Sequence, residues 1–280
     1  METGITPQSE RRTAMIRNGA WNDKLITDYL DEAVIRTPDR NAIVGFQVTG
    51  DTRTALTYQE LNHAVARMAA GLAAMGINKG DVVACQLPNW WQTTALHLAC
   101  MRIGAILNPL MPIFRERELR FMLGHGEARL LVTPKIFRNF DYEAMVDGIR
   151  SELPKLETLL VIGGEGDRSF EQRLLETPWE EKTDTAALFA ERKPGADEVI
   201  QILYTSGTTG EPKGVMHTSN TLFSNVRPYA ERLHLTSDDK ILMASPLAHQ
   251  TGFLYGVMMP VYLAPQPSFR ISGMPTMSAR

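Results

Sequence analysis

Apolar residues first fall at helical spacing in LITDYLDEAV, where Leu25, Ile26, Tyr29, Leu30 and Val34 share a face, and NAIVGFQV at 41–48 then reads as a strand. The next segment, TYQELNHAVARMAAGLAAMGI, opens with Thr57 and Glu60 at capping-box spacing. It places Leu61, Val65, Met68, Leu72 and Met75 on one side and stops at Gly76, the pattern of an amphipathic helix. The alternation continues with DVVACQL as a strand, Asn89 as an N-cap, a helix through WWQTTALHLACMRI to Gly104, and AILNPL as a short buried strand. A helix from Glu116 to Leu123, the strand RLLVT, a helix over 138–150 and the strand TLLVI extend it. Residues 163–197 are charged and less periodic, with turn-rich ends around a weaker helical stretch. VIQILY at 199–204 reads as a buried strand that delivers the chain into YTSGTTGEPKGVMHT, which is set between that strand and the helix SNTLFSNVRPYAERL. KILMASPL reads as a further strand and GFLYGVMMPVYL as a helix, after which the periodicity is lost at about Ala264. Strands alternating with helices predict an α/β fold with mainly parallel sheets flanked by helices.

The composition suits a globular chain: 280 residues, 44% hydrophobic and 22% charged. Twenty-nine basic against 32 acidic residues give a net charge of −3, without the basic stripe that nucleic-acid binding requires, so nucleic acid is not an expected partner. Cys85 and Cys100 lack the spacing of a metal site or a disulfide framework, which points to a reducing cytoplasm. The start is polar and mixed in charge, and no apolar run approaches the roughly 18 residues of a transmembrane segment.

Candidate chemistry concentrates in YTSGTTGEPKGVMHT. The carboxyl ends of parallel strands are where such sheets bind ligands, and glycines let backbone amides approach phosphate oxygens. Thr205, Ser206, Thr208 and Thr209 add hydroxyls, Gly207 and Gly210 add close backbone approach, and Lys213 adds a point charge, which together point to a polyphosphate ligand. A Walker loop is disfavoured, because counting from Gly207 puts Pro212 at the second glycine and Gly214 at the magnesium hydroxyl. A plain surface linker fits less well, since few linkers follow a buried strand and keep a lysine between proline and glycine.

YTSGTTGEPKGV resembles the signature of the adenylate-forming (AMP-binding) superfamily, with TYQELNHAVARMAAGLAAMGINKGDVVACQLPN and PLAHQTGF as supporting pieces, over about residues 25–263. PIFRERELRFML is most similar to short- and medium-chain or cyclohexanecarboxylate acyl-CoA synthetases. The resemblance implies the first part of a large N-terminal lobe and a ligase of fatty-acid-type metabolism. Such a ligase uses ATP, Mg2+ and coenzyme A to convert a small carboxylic acid to an acyl-adenylate and then to a thioester. It implies that Ser206 to Gly210 cradle the β- and γ-phosphates, that Lys213 neutralises them and that Thr205 serves the magnesium position. His249 matches a position at the acid pocket, with Phe253 as an apolar wall and Met258 and Met259 as further lining. His249 is read either as orienting a carboxylate or as a structural histidine, and His217 lies behind the loop. His63, His97, His125 and His234 carry no assignment, and Trp90 and Trp91 are read as packing.

On this reading residues 1–24 are a polar arm, 25–263 a partial adenylation domain and 264–280 an atypical, disordered tail. Later family elements have no counterpart here: a Tyr-Gly-x-Thr-Glu motif, a ribose-binding aspartate and a C-terminal domain with its lysine. The expectation is a truncated form whose exposed sheet edge invites association. The alternative is a nucleotide-binding fragment without catalysis.

Overall fold

The structure is a computed structural model that describes residues 9–47, 52–205 and 211–265. Helix α1 (Ser9–Arg17) and helix α2 (Ile26–Arg36) lead into an antiparallel hairpin of β1 (Asn41–Gln47) and β2 (Thr52–Thr57), and helix α3 (Tyr58–Ala74) follows at once. The capping box of α3 forms as its spacing predicts. The Thr57 hydroxyl accepts the Glu60 N–H at 3.2 Å, and the Glu60 carboxylate accepts the Thr57 N–H at 2.8 Å. Leu61, Val65, Met68 and Leu72 are fully buried, Met75 is half-buried, and Gly76 ends the helix in the left-handed region at φ +87°.

Strand β3 (Val82–Cys85), helix α4 (Trp91–Arg102), strand β4 (Ile106–Pro109), helix α5 (Glu116–His125) and strand β5 (Ala128–Pro134) then alternate. A small hairpin of β6 (Ile136–Phe137) and β7 (Phe140–Asp141), helix α6 (Tyr142–Ile149) and strand β8 (Thr158–Ile162) follow. Residues 163–197 fold as short helical pieces, including α7 (Trp179–Lys182) and α8 (Thr185–Arg192), before strand β9 (Val199–Thr205), strand β10 (Lys213–Thr218) and helix α9 (Ser219–Arg232). The described chain closes with α10 (Gln250–Gly252), a π-helical stretch over Phe253–Met258, and α11 (Met259–Leu263).

Six strands form one sheet in the order β10-β9-β4-β3-β5-β8, parallel throughout except that β10 runs antiparallel to β9. The two-residue pleat sorts β3 between two cores. Val83 and Cys85 face α3, α4, α9 and the 253–263 helix, while Val82 and Ala84 face Leu119, Met122 and Leu123 of α5 and Tyr142, Val146 and Ile149 of α6. Burial on both sides explains why the strands are continuously apolar. Among the described residues no helix is long and apolar enough to cross a membrane.

Three expectations are corrected. The N-cap of α4 is Trp90, without a side-chain hydrogen bond. The Asn89 amide instead donates to the Ser245 carbonyl at 2.8 Å and accepts the Leu247 N–H at 2.9 Å, bridging to a distant segment. The helix expected from 138 begins at Tyr142, because Arg138 and Asn139 both take positive φ and form a two-residue hairpin turn between Phe137 and Phe140. KILMASPL is not a strand. It has no ladder partner among the described residues, and Leu242 is 94% exposed. The polar arm, for its part, contains α1 and is tied down by polar contacts. Arg12 donates to Asp197 at 2.6 Å, Trp21 is buried and donates to Ser224 at 2.8 Å, and Asn220 bridges Asp23 and Asp197. Periodicity is blind to a segment anchored this way. Residues 266–280, most of the expected tail, lie outside the described residues.

Candidate functional site

Val199 to Leu203 of β9 are buried, Tyr204 is half-buried and Thr205 emerges exposed, so the sheet delivers the chain to the surface at the start of the glycine-rich segment. The segment does not run from strand to helix as its sequence suggests. Lys213 begins β10, which returns antiparallel on β9 with Lys213 opposite Thr205 and Gly214 opposite Tyr204. Pro212, which cannot donate to a ladder, stands just before this edge strand, where its missing N–H costs nothing. Ser206, Gly207, Thr208, Thr209 and Gly210 lie outside the described residues. Thr205 and Lys213 therefore mark the two roots of the loop, brought together by strand register. Beyond β10, Thr218 caps α9 by accepting the Thr221 N–H at 3.2 Å.

Beside these roots a cavity of about 580 Å³ is lined by Phe121 and His125 from α5 and by Glu211, Pro212, Lys213 and Gly214. The Tyr204 hydroxyl spans from β9 to α5, donating to the Met122 carbonyl at 3.2 Å and lying 2.9 Å from His125 Nδ1. Phe121 stacks on the His125 ring at 5.4 Å and 16°. Burial raises the Tyr204 hydroxyl to about 12, which keeps it a neutral donor. Two glycines make room for this strut. A Cβ at Gly214 would lie 3.4 Å from the Tyr204 ring, and one at Gly126 would lie 3.4 Å from its hydroxyl and 2.8 Å from the Met122 oxygen. His125 and Tyr204 carried no assignment from sequence. Gly126 is the C-cap of α5 and reads locally as a helix stop, so no local signal marked the pair.

His249 lies elsewhere and does not line this cavity. It is exposed and caps α10, its Nδ1 accepting the Thr251 N–H at 3.3 Å. Since Nδ1 accepts, the neutral ring carries its proton on Nε2, leaving a donor free at the surface. Phe253 is fully buried, 5.5 Å from the His97 ring, and Met258 and Met259 are buried in the same core, so these three are core filler and not pocket lining. His217, half-buried on β10, is held below its usual pKa by burial. Trp90 packs edge-on against Phe137 at 6.0 Å, in keeping with a packing role. Among the described residues no group of three His, Cys, Asp or Glu side chains is placed to hold a metal.

A family model described as AMP-binding enzyme matches residues 30–265. The medium-chain fatty-acid–CoA ligase of Escherichia coli (strain K12) is 34% identical over 260 residues, taking in 93% of this chain and 44% of that ligase. The salicylyl-CoA synthase / salicylate adenylyltransferase of Streptomyces sp is 33% identical over 232 residues, covering 82% of this chain and 41% of its own length. The chain spans less than half the length of these curated relatives. Of solved structures, apo MbtA of Mycobacterium smegmatis superposes with a TM-score of 0.72 at 27% identity, over 93% of this chain and 46% of that one. The N-terminal domain of FACL13 from Mycobacterium tuberculosis gives 0.72 at 25%, over 86% and 56%.

Proposed function

Because the chain belongs to the AMP-binding enzyme family, with the fold of the N-terminal lobe of acyl-CoA ligases, we propose that it holds the polyphosphate of ATP for adenylate formation. In that reaction a carboxylate attacks the α-phosphorus, pyrophosphate leaves, and the acyl-adenylate is passed to coenzyme A. The observation that carries this reading is the register of the hairpin: Thr205 and Lys213 stand directly opposite each other at the mouth of the Ser206–Gly210 loop. A lysine fixed there neutralises charge as it gathers on the leaving pyrophosphate, the kind of preorganised electrostatics that dominates such steps. Lys213 sits on a strand and keeps its place without help from the loop.

Magnesium enters this reading on the phosphates of ATP, with the Thr205 hydroxyl as the oxygen that the described residues can add. The free Nε2–H of His249 suits orientation of an incoming carboxylate. The relatives' acids, a medium-chain fatty acid and salicylate, are both apolar carboxylic acids, and we extend that class, without a chain length, to this protein. Two buried, free thiols suit a cytoplasmic setting.

The test is acid-dependent exchange of labelled pyrophosphate into ATP, alongside calorimetric binding of ATP. The expected result is ATP binding and exchange, with exchange lowered at least about a hundredfold in Lys213→Ala, the scale for removing one oxyanion-stabilising group, and ATP binding weakened. ATP binding without exchange favours the nucleotide-binding fragment. A chain that neither binds ATP nor exchanges overturns the proposal.

A further inference from the structure

Tyr204 and His125 bring α5 to the loop roots, and nothing in the proposed reaction yet uses them. We propose that His125 is a phosphate-binding residue. Held by Tyr204, it presents Nε2 to the pyrophosphate end of the polyphosphate, from the α5 side of the cavity that Lys213 lines from β10. This inference rests on the function proposed above.

The hydrogen bonds fix which ring nitrogen is free. The Tyr204 hydroxyl has a single proton, and the Met122 carbonyl at 3.2 Å can only accept, so the proton is committed there. The 2.9 Å contact with His125 is then a bond in which Nδ1–H donates to the tyrosine oxygen. Nε2 has no partner among the described residues. A neutral ring in this tautomer offers only a lone pair at Nε2. On binding an anion the ring takes up one proton, and Nε2–H then donates a charge-assisted hydrogen bond to a phosphoryl oxygen. Phe121, stacked on the ring, fixes its plane. The C-terminal end of α5 carries the negative end of the helix dipole, which opposes a bare anion and favours a protonated His125 ring. The other charged groups lining the cavity are Lys213, which favours the anion, and Glu211, which opposes it unless a cation is bound with it.

Magnesium pyrophosphate is the probe, titrated calorimetrically into the whole chain between about pH 5.5 and 8, the range in which an imidazole changes charge. The wild type is expected to bind and Lys213→Ala to lose binding. His125→Gln should bind about tenfold more weakly at the acid end, a deficit that shrinks as pH rises, because the imidazolium is the donor being removed. Titration of pyrophosphate itself is common to both proteins and cancels in the ratio. Tyr204→Phe should reproduce part of the loss, and the double variant should bind no worse than His125→Gln alone. A purely structural role would lower the melting temperature without this pH-dependent ratio. If His125→Gln and Tyr204→Phe both match the wild type at every pH while Lys213→Ala loses binding, this inference is overturned and the proposed function stands. If the wild type does not bind magnesium pyrophosphate, this inference falls, and ATP binding and exchange alone decide the proposed function.

Discussion

At the scale of single residues, His97 shows what burial does to a titrating group. It is completely buried in α4, 3.4 Å from the Cys85 sulfur, with Nδ1 unpartnered among the described residues, and desolvation lowers its pKa from 6.5 to about 3. Its folded value is depressed, so between about pH 3 and 6.5 the unfolded chain binds the extra proton. The stabilising contribution is therefore complete above about pH 6.5 and lost as pH falls through that window, at up to about 1.4 kcal/mol per pH unit. Denaturant midpoints measured between about pH 6.5 and 5, above the range in which most carboxylates protonate, should fall in the wild type and fall less steeply in His97→Leu, where His217 still contributes in the same direction. From sequence His97 carries no assignment and is placed on a helix. Its depth was not legible, since a histidine amid TTALHLAC is equally compatible with a surface stripe. His125 is the opposite case: its local sequence is that of any helix end, and the hydrogen bond that commits its Nδ1 is made with the distant Tyr204.

At the scale of elements, local signals succeeded where the stabilising contacts are local. The α3 capping box, the face of Leu61, Val65, Met68 and Leu72, and the stop at Gly76 all lie within the reach of a few residues, and the structure repeats them. They failed where a partner lies far along the chain. Asn89 looks like an N-cap but closes two hydrogen bonds with residues 245–247, standing in for the strand neighbour that this segment lacks among the described residues. Gly252 lets the following helix approach the same segment, where a Cβ would run into the Pro246 carbonyl. Asn89→Ala should therefore cost about 1–2 kcal/mol by denaturant unfolding, the worth of one or two net hydrogen bonds, whereas loss of a cap alone would act on α4 only. Hydrogen exchange separates the two: the Leu247 amide should lose protection while α4 keeps it. The glycine-rich loop belongs here too. Its composition reads as phosphate-binding, but the antiparallel pairing that sets Gly214 opposite Tyr204 is not encoded in composition.

At the scale of the whole molecule, a single sheet divides two cores, and both cysteines lie in the larger one, Cys85 on β3 and Cys100 on α4. Burial raises the Cys85 thiol to about 12 and Cys100 well above its ordinary value, so neither forms a thiolate near neutrality. Reaction with a thiol reagent should track cooperative unfolding, with no labelling of the native chain and two equivalents once it is denatured. Labelling of one thiol well before the global transition would mean that the α4 side opens as a separate unit. The sequence by itself determined the family and the α/β alternation, because hydrophobic period and loop composition are properties of neighbouring positions. The tertiary structure alone decided that Thr205 faces Lys213, that Phe253 and the paired methionines are core, and that α5 supplies His125 to the loop roots. Those outcomes depend on strand order and register, which bring together residues about 80 positions apart, such as His125 and Tyr204, and no local pattern fixes which strands become neighbours.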